Sequence, residues 1–583
     1  MGKALNIDQI LEKCGDFNRY QYMLLGSFCL INILASMHYY SQTIISFVPE
    51  HWCYSESLKN FTIDEVRLYY SHFPNPSCTN VDGMKSAYTS DPAAVASRLK
   101  RVASEHGNLC QEWIYDYDFL FGYRSMTSEL NWVCQNAWKS IMGQSTYFIG
   151  SVVGTLVLGI LSDIIGRLPV LIFAHLAGII GNGLTIFAYD EVTFAICRFI
   201  SGIATDNNFV MMYILVMEYI APQMRTFGLN LCIGIFYCLG SVVSPWIAVW
   251  LGNWQLYLVA TIAPALIVPA FYFVIPESAQ WLISKNKVDK ALTCYQKIAK
   301  FNQKELDENF IVEFRNAVGE INAQKTKADE NPSMIALFKT PRLRRLTLIL
   351  FFKSMIITLG YDAISKNVEG LGMSPFVLFS LSASAILPAC LVLLLLQDRI
   401  GRKAMASSAL LVSGFFTAGT GIALAYQKTH QDPVMLAFLS IVGRFGVTVA
   451  YNSGAQYAAE LIPTCVRGQG VAAAHVAGYA LTFFSSYILY TVGLLRTRKL
   501  FTTLSDISLF PMQSTVFKAL PSLILGVLSF AGALCCLFLP ETLNRKTPVT
   551  LQEGEDFGRG EKLLQFACFD KAENKKEPTT VLS

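Results

Sequence analysis

The chain has 583 residues, 53% of them hydrophobic and only 15% charged, with a mean hydropathy of +0.40. So few charges and such long apolar runs exclude a soluble globular protein of this size and make the lipid bilayer its solvent. The formal net charge of +4 is too small to draw in nucleic acid, so no such partner is expected, and the placement of Lys and Arg matters more than their excess.

The first 19 residues carry Lys3, Asp8, Glu12, Lys13, Asp16 and Arg19, unlike a cleaved signal peptide with a basic start and an early apolar core. Residues 1–21 are therefore expected to form a cytoplasmic amino terminus. Apolar segments of about 20 residues, long enough to cross ~30 Å of hydrocarbon, begin near Tyr22, Ile141, Leu171, Phe194, Phe227, Leu256, Leu346, Phe376, Ser408, Met435, Val471 and Leu520. Twelve crossings return the carboxyl terminus to the side of the amino terminus. Arg167, Arg225, Arg399, Arg402, Lys403, Arg467 and the Lys-rich stretch 285–345 all fall on that side, which the excess of basic residues in short loops marks as cytoplasmic. Arg496-Thr-Arg-Lys499 is the exception, predicted outside.

Between the first two segments, about 47–139, the chain is polar and holds Cys53, Cys78, Cys110 and Cys134. These four are disulfide candidates with three possible pairings, and no cysteine spacing suggests zinc, so no metal is expected. Asn60-Phe-Thr62 is a glycosylation sequon in the same loop. The layout predicts an amino-terminal six-helix half over 22–276, a cytoplasmic linker over 277–345, a second half over 346–540, and a polar cytoplasmic tail over 541–583 whose composition reads as disordered.

Asp163-Ile-Ile-Gly166-Arg167 recurs as Asp398-Arg-Ile-Gly401-Arg402, at an offset of 235 residues for both the Asp and the Gly. Pro276-Glu277-Ser278 ends one apolar segment and Pro540-Glu541-Thr542 the last. Two equivalent halves are implied, hence an all-α membrane protein of two pseudo-symmetric six-helix halves. Gate charges of a carrier belong at helix ends, where they pair, break and pair again; Asp163, Arg167, Glu218, Arg225, Asp398, Arg402, Glu460 and Arg467 fit that place.

A charge at the centre of a span costs about 2.5 to 3.5 kcal/mol on insertion scales, so it usually faces the protein interior. Asp206, in Ile203-Ala-Thr-Asp-Asn-Asn-Phe209, is the clearest case and a handle for a cationic head group. Lys353 is read as reaching the cytoplasmic interface, the alternative being contact with a carboxylate. Neither aqueous segment carries a nucleotide-binding motif, a metal cluster or a catalytic triad, so neither enzyme activity, a cofactor nor coupling to ATP is expected.

The chain resembles the organic cation, anion and zwitterion transporter family of the major facilitator superfamily. The resemblance rests on the long cysteine-bearing loop, Trp132-Val-Cys134 with Lys139, Gln144-Ser145 and Phe148, the two Gly-Arg turns, Arg198-Phe, Pro276-Glu-Ser with Trp281-Leu, Ala459-Glu-Leu-Ile-Pro-Thr-Cys-Val-Arg467 and Pro540-Glu-Thr. It implies a twelve-helix facilitator fold in the plasma membrane with both termini cytoplasmic. By the same resemblance, Tyr39, Phe209, Tyr361, Tyr451 and Tyr479 line a central cavity and Asn452 and His475 add polar contacts, with Asp206 as the acid. Aromatic walls hold amines by cation–π attraction, roughly 0.5 to 2 kcal/mol each, without a fixed hydrogen-bond pattern. Cation carriers of the family have acids where Tyr479 and Ile386 align and tend to have lysine where Asp206 aligns; anion carriers have a basic residue near Tyr479. The expected substrates are small organic cations or zwitterions such as carnitine or carcinine. The alternatives are an organic anion exchanger or a transport-inactive receptor or scaffold of the same fold.

Overall fold

The computed structural model describes residues 7–15, 18–54, 61–70, 78, 110–220, 228, 230–306, 310–316, 318–319, 334–367, 371, 373–426, 432–463, 465–485, 510–543, 545, 548 and 550–561. Eleven helices among them are long and apolar enough to cross a membrane. In chain order these and one shorter helix are α1 (Arg19–Ile45), α2 (Trp138–Ile165), α3 (Arg167–Thr185), α4 (Glu191–Tyr219), α5 (Asn230–Leu251), α6 (Trp254–Val274), α7 (Pro341–Lys366), α8 (Pro375–Ile400), α9 (Arg402–Tyr426), α10 (Pro433–Leu461), α11 (Arg467–Thr482) and α12 (Phe510–Leu537). The shorter one is α11, described as far as Ser485. All twelve expected segments are thus represented. Apart from α5, described as a continuous helix from Asn230, the helices begin one to six residues before the apolar runs do, and α12 begins well before Leu520. Hydropathy registers only the stretch suited to hydrocarbon, whereas the first turn carries the capping and charged residues that satisfy its free N–H groups. Asn18 and Gln21 form such a capping box on α1, and the Asp190 carboxylate accepts from Thr193 N at 2.8 Å on α4.

At one end of the bundle, the disulfide end, β1 (Glu50–Cys53) pairs antiparallel with β2 (Trp113–Asp116), Glu50 opposite Asp116. Of the three possible pairings, the cysteines adopt Cys53–Cys110 and Cys78–Cys134. Arg67 of the short helix Ile63–Tyr70 pairs with the buried Asp116. Asn60 lies outside the described residues, as do Arg225 and the 496–499 cluster.

At the opposite, turn end, the two repeated motifs explain one another. Gly166 (φ 113°) and Gly401 (φ 99°) turn the chain between α2 and α3 and between α8 and α9. Glu277 then accepts from Arg167 N at 2.9 Å and Leu168 N at 3.2 Å, while Glu541 accepts from Arg402 N at 2.9 Å and Lys403 N at 3.3 Å. Each Pro-Glu glutamate caps the helix that the Gly-Arg turn starts, where free N–H groups and the helix dipole favour an anion. A side chain at Gly166 would place its Cβ 2.3 Å from Glu277 Oε2. Burial pushes the Glu277 carboxyl above its ordinary value, against the three backbone N–H groups that favour its anion.

Within the tail, the described segment 550–561 is ordered against α7. Glu555, on the short helix Leu551–Asp556, accepts from Arg342 N at 3.0 Å and Leu343 N at 2.6 Å, capping α7. These hydrogen bonds pull Glu555 below the usual carboxylate value. Charged composition argued for disorder, but it did not count the unsatisfied first turn of α7, which gives an acidic segment a place to dock.

Candidate functional site

Polar and aromatic side chains from both halves converge at mid-depth. α4 is interrupted between Ile203 and Asn207, and Asp206 sits in the break with φ 65°. A non-glycine residue rarely adopts this conformation, and such strain gathers at functional positions. Asp206 occupies the N-cap position of the following helical piece, yet its carboxylate makes no capping bond. It turns instead to the other half, where Tyr479 of α11 donates to Oδ1 at 2.6 Å.

The Tyr479 ring stacks on Phe148 of α2, with centroids 6.3 Å apart, and Tyr451 of α10, within electrostatic reach of Tyr479, has its ring centroid 4.8 Å from that of Tyr361. His475, one turn before Tyr479 on α11, is within electrostatic reach of Asp206. With Lys353, Ser354, Thr358 and Tyr451 it lines a small cavity between α7, α10 and α11. Of the expected cavity residues, Asp206, Tyr451, His475 and Tyr479 come together here.

Tyr39 and Tyr361 belong one step nearer the disulfide end. Tyr39 donates to Asp362 Oδ1 at 3.0 Å. The Lys366 ammonium lies 2.6 Å from the same oxygen and 2.8 Å from Oδ2, which also accepts from Ser485 at 2.7 Å. Lys366 stands 4.7 Å above the Phe148 ring. Asp362 is completely buried, so its full set of partners is what makes its charge tolerable there. Phe209 and Asn452 do not join either group. Phe209 packs with Phe28 and Tyr213 at about 6 Å in the core of the first half, and Asn452 directs its amide to Cys390 Sγ at 3.9 Å. Each is one residue or one turn from a cavity position, and helix rotation points it into a neighbouring seam.

Two buried arginines occupy α4 and α10. Arg198 donates to Asn182 at 2.9 Å and to Ser41, under the Tyr147 ring, all within the first half. Arg444 donates to Tyr361 O at 2.5 Å, lies 3.9 Å from the Tyr361 ring centroid, and crosses to Tyr40 of the first half at 2.7 Å. Tyr40 also meets the Tyr361 hydroxyl at 3.3 Å and the Phe379 ring at 5.0 Å.

The described ones among the expected gate charges find their partners on their own side of the two-fold repeat. Arg167 meets Asp163 at 3.0 Å, and Glu218 accepts from Ser278 at 2.5 Å. Arg402 meets Asp398 at 2.9 Å and Glu460 at 3.2 Å, and Glu460 accepts from Thr542 at 2.5 Å. Arg467 donates to Ile462 O at 3.3 Å. Among the described residues, the side-chain hydrogen bonds that join the halves all lie at mid-depth or nearer the disulfide end: Tyr39–Asp362, Tyr40–Tyr361, Tyr40–Arg444, Asp206–Tyr479, Cys238–Ala383 and Ser380–Val242. Lys353 is not at an interface: it is 1% exposed, in the middle of α7. His51, Cys78 and Cys134 cluster within 4.8 Å, but the disulfide takes both sulfurs and leaves the imidazole as the one free metal ligand of the three.

The major facilitator superfamily model matches residues 137–486, from the start of α2 through α11. The chain belongs to the major facilitator superfamily. It is similar to the "organic cation transporter protein" of Drosophila melanogaster (25% identical, covering 95% of each chain) and to "organic cation transporter 1" of Caenorhabditis elegans (28% identical, covering all of this chain and 93% of the relative). Its fold matches that of the solved proton:xylose symporter XylE with a TM-score of 0.55 at 15% identity, over 92% of this chain and 100% of that one. In this facilitator, sequence reasoning missed Asp362, Lys366, Arg444, Glu277 and Glu541 as participants. The Asp362/Lys366 spacing, four apart with the acid first, is that of a helical ion pair, and it follows directly on Tyr361. Glu277 and Glu541 were visible as repeats but lacked a role until the turns were seen beside them.

Proposed function

We propose that this facilitator is a polyspecific carrier of organic cations or zwitterions that works by alternating access, in the plasma membrane. The observation that carries the reading is Asp206, a mid-depth acid that faces the other half with a tyrosine hydroxyl as its partner, beside the aromatic group Phe148, Tyr451 and Tyr479. An anion whose partner is a neutral hydroxyl favours a ligand cation, and flat rings accept amines of varied shape. The names of the relatives support the same substrate class.

In this reading the disulfide end is extracellular, since disulfides persist in oxidising compartments, and Asn60 is glycosylated there. The turn end, the 277–345 linker and both termini are cytoplasmic. With its halves joined from mid-depth to the disulfide end, the described state corresponds to one open toward the cytoplasm, and Asp163, Arg167, Glu218, Arg225, Asp398, Arg402, Glu460 and Arg467 re-pair across the halves when the carrier turns outward. For a monovalent cation the membrane potential supplies about 2.3 kcal/mol per 100 mV, or roughly fifty-fold accumulation.

The test is uptake of labelled tetraethylammonium, carnitine and an aromatic anion side by side, in polarised and depolarised cells, for the wild type and Asp206→Asn. Cation uptake that falls on depolarisation and is lost in the variant supports the reading. Anion uptake with cation uptake untouched by the variant would favour an organic anion exchanger, and binding without flux a receptor or scaffold.

A further inference from the structure

We infer that Lys353 is a carboxylate-binding subsite and that, with Asp206, it makes this a carrier of zwitterions bearing both an ammonium and a carboxylate. The inference rests on the carrier reading above and narrows its substrate class. Lys353 stands at the middle of α7 with its side chain buried, at the depth where an ionised group is hardest to hold. Its ammonium has three protons to place. One goes to Gly454 O at 3.3 Å, and the Tyr457 ring lies 4.9 Å away. Among the described residues no carboxylate forms an ion pair with it.

Lys366, on the same helix, provides the contrast. It finds Asp362 four residues before it and is fully paired, whereas the residues four before and four after Lys353 are Ile349 and Ile357. What Lys353 does face is the cavity it shares with Ser354, Thr358, Tyr451 and His475. Ser354 and Thr358 already donate their hydroxyl protons to Ala474 O and Ser354 O, so the lysine, with His475 beside it, is left to donate to an anion entering there.

The far side of the same group of residues leads to Asp206. His475 is within electrostatic reach of that carboxylate, as is Tyr451. One half therefore contributes an acid and the other a base; among the described residues neither forms a salt bridge, Asp206 having the Tyr479 hydroxyl and the nearby His475 as neighbours and Lys353 a backbone carbonyl. A buried charge without a partner is costly. A simple amine relieves Asp206 alone; a ligand with both charges relieves Asp206 and Lys353 together and bridges the two halves as it does so.

Uptake of labelled carnitine, which carries a quaternary ammonium and a carboxylate, is compared with that of choline, which lacks the carboxylate, in cells expressing wild type, K353Q, K353R and D206N, with surface abundance measured for each. The expected result is a carnitine KM raised at least about tenfold by K353Q and largely restored by K353R, a choline KM raised several-fold less by K353Q, and both raised by D206N. Equal KM changes for the two substrates in K353Q, a change confined to abundance and Vmax, or a wild type that moves choline but not carnitine overturns the subsite while leaving the carrier reading intact. A wild type that moves neither overturns the carrier reading and this inference with it, whereas a D206N variant indistinguishable from a transporting wild type overturns Asp206 as the ammonium site and, with it, this inference alone.

Discussion

The two ends of the bundle hold together in opposite ways. At the turn end the ion pairs and glutamate caps of the two repeated motifs each close within one half: Glu277 on α3 and Glu541 on α9, Asp163 with Arg167, Asp398 with Arg402. Toward the disulfide end the bonds run between halves, through Tyr39 to Asp362 and Arg444 to Tyr40, and Phe47 packs on Phe376 with centroids 5.0 Å apart. Contacts of the first kind make each half a rigid block. Those of the second kind hold the blocks together, and they are the ones that must break for the carrier to open the other way.

The largest effect tests whether the disulfide layer belongs to this seam. Each disulfide closes a loop of nearly the same length, with sequence separations of 57 and 56, so each is worth about 4 kcal/mol on chain-entropy grounds. Replacing Cys53 and Cys110 by serine is expected to make the 47–139 segment sensitive to protease while the twelve-helix bundle keeps its melting temperature, as read by limited proteolysis and thermal unfolding in detergent.

Next come the arginines. Arg198→Met removes two charged hydrogen bonds that close within the first half, each worth about 1.5–3 kcal/mol, and is expected to lower thermal stability without changing access from the disulfide end. Arg444→Met cuts the bond across the seam, and is expected to speed labelling of a cysteine placed at Ser380 by a membrane-impermeant thiol reagent. The two variants exchanging these phenotypes would break the comparison.

Gly166→Ala and Gly401→Ala are expected to cost about 1–3 kcal/mol each in backbone strain, with equal fall in melting temperature and no change in labelling at Ser380. Smaller again, Glu277→Gln and Glu541→Gln each weaken one helix cap by about 0.5–2 kcal/mol. Unequal shifts in the two halves would show that the repeat is less symmetric in energy than in geometry.

The segment count, the half-to-half repeat and the unusual setting of Asp206 were legible in the chain because each is a local signal: a long apolar run, a repeated turn, one acid where hydrocarbon is expected. The partners of these residues were not. Asp206 and Tyr479 are 273 residues apart and Tyr39 and Asp362 are 323 apart, and their meeting depends on how each helix is rotated about its axis. A helix buried on several sides gives a weak apolar stripe to read that rotation from. Phe209 and Asn452 were assigned to the cavity and lie in neighbouring seams for this reason. Asp362 and Lys366 were readable in principle, as an ion-pair spacing at the end of an apolar run; Glu555 was not, since its partner is the bare start of a helix more than 200 residues earlier.

That last contact ties the far end of the chain to the helix that bears Lys353, Tyr361 and Asp362. Truncations that end before Glu555 expose the opening turn of α7 to water, so losses of transport in them report on this docking as well as on any signal carried by the removed residues. A fluorescent reporter is better attached beyond Ser583 than in place of the tail.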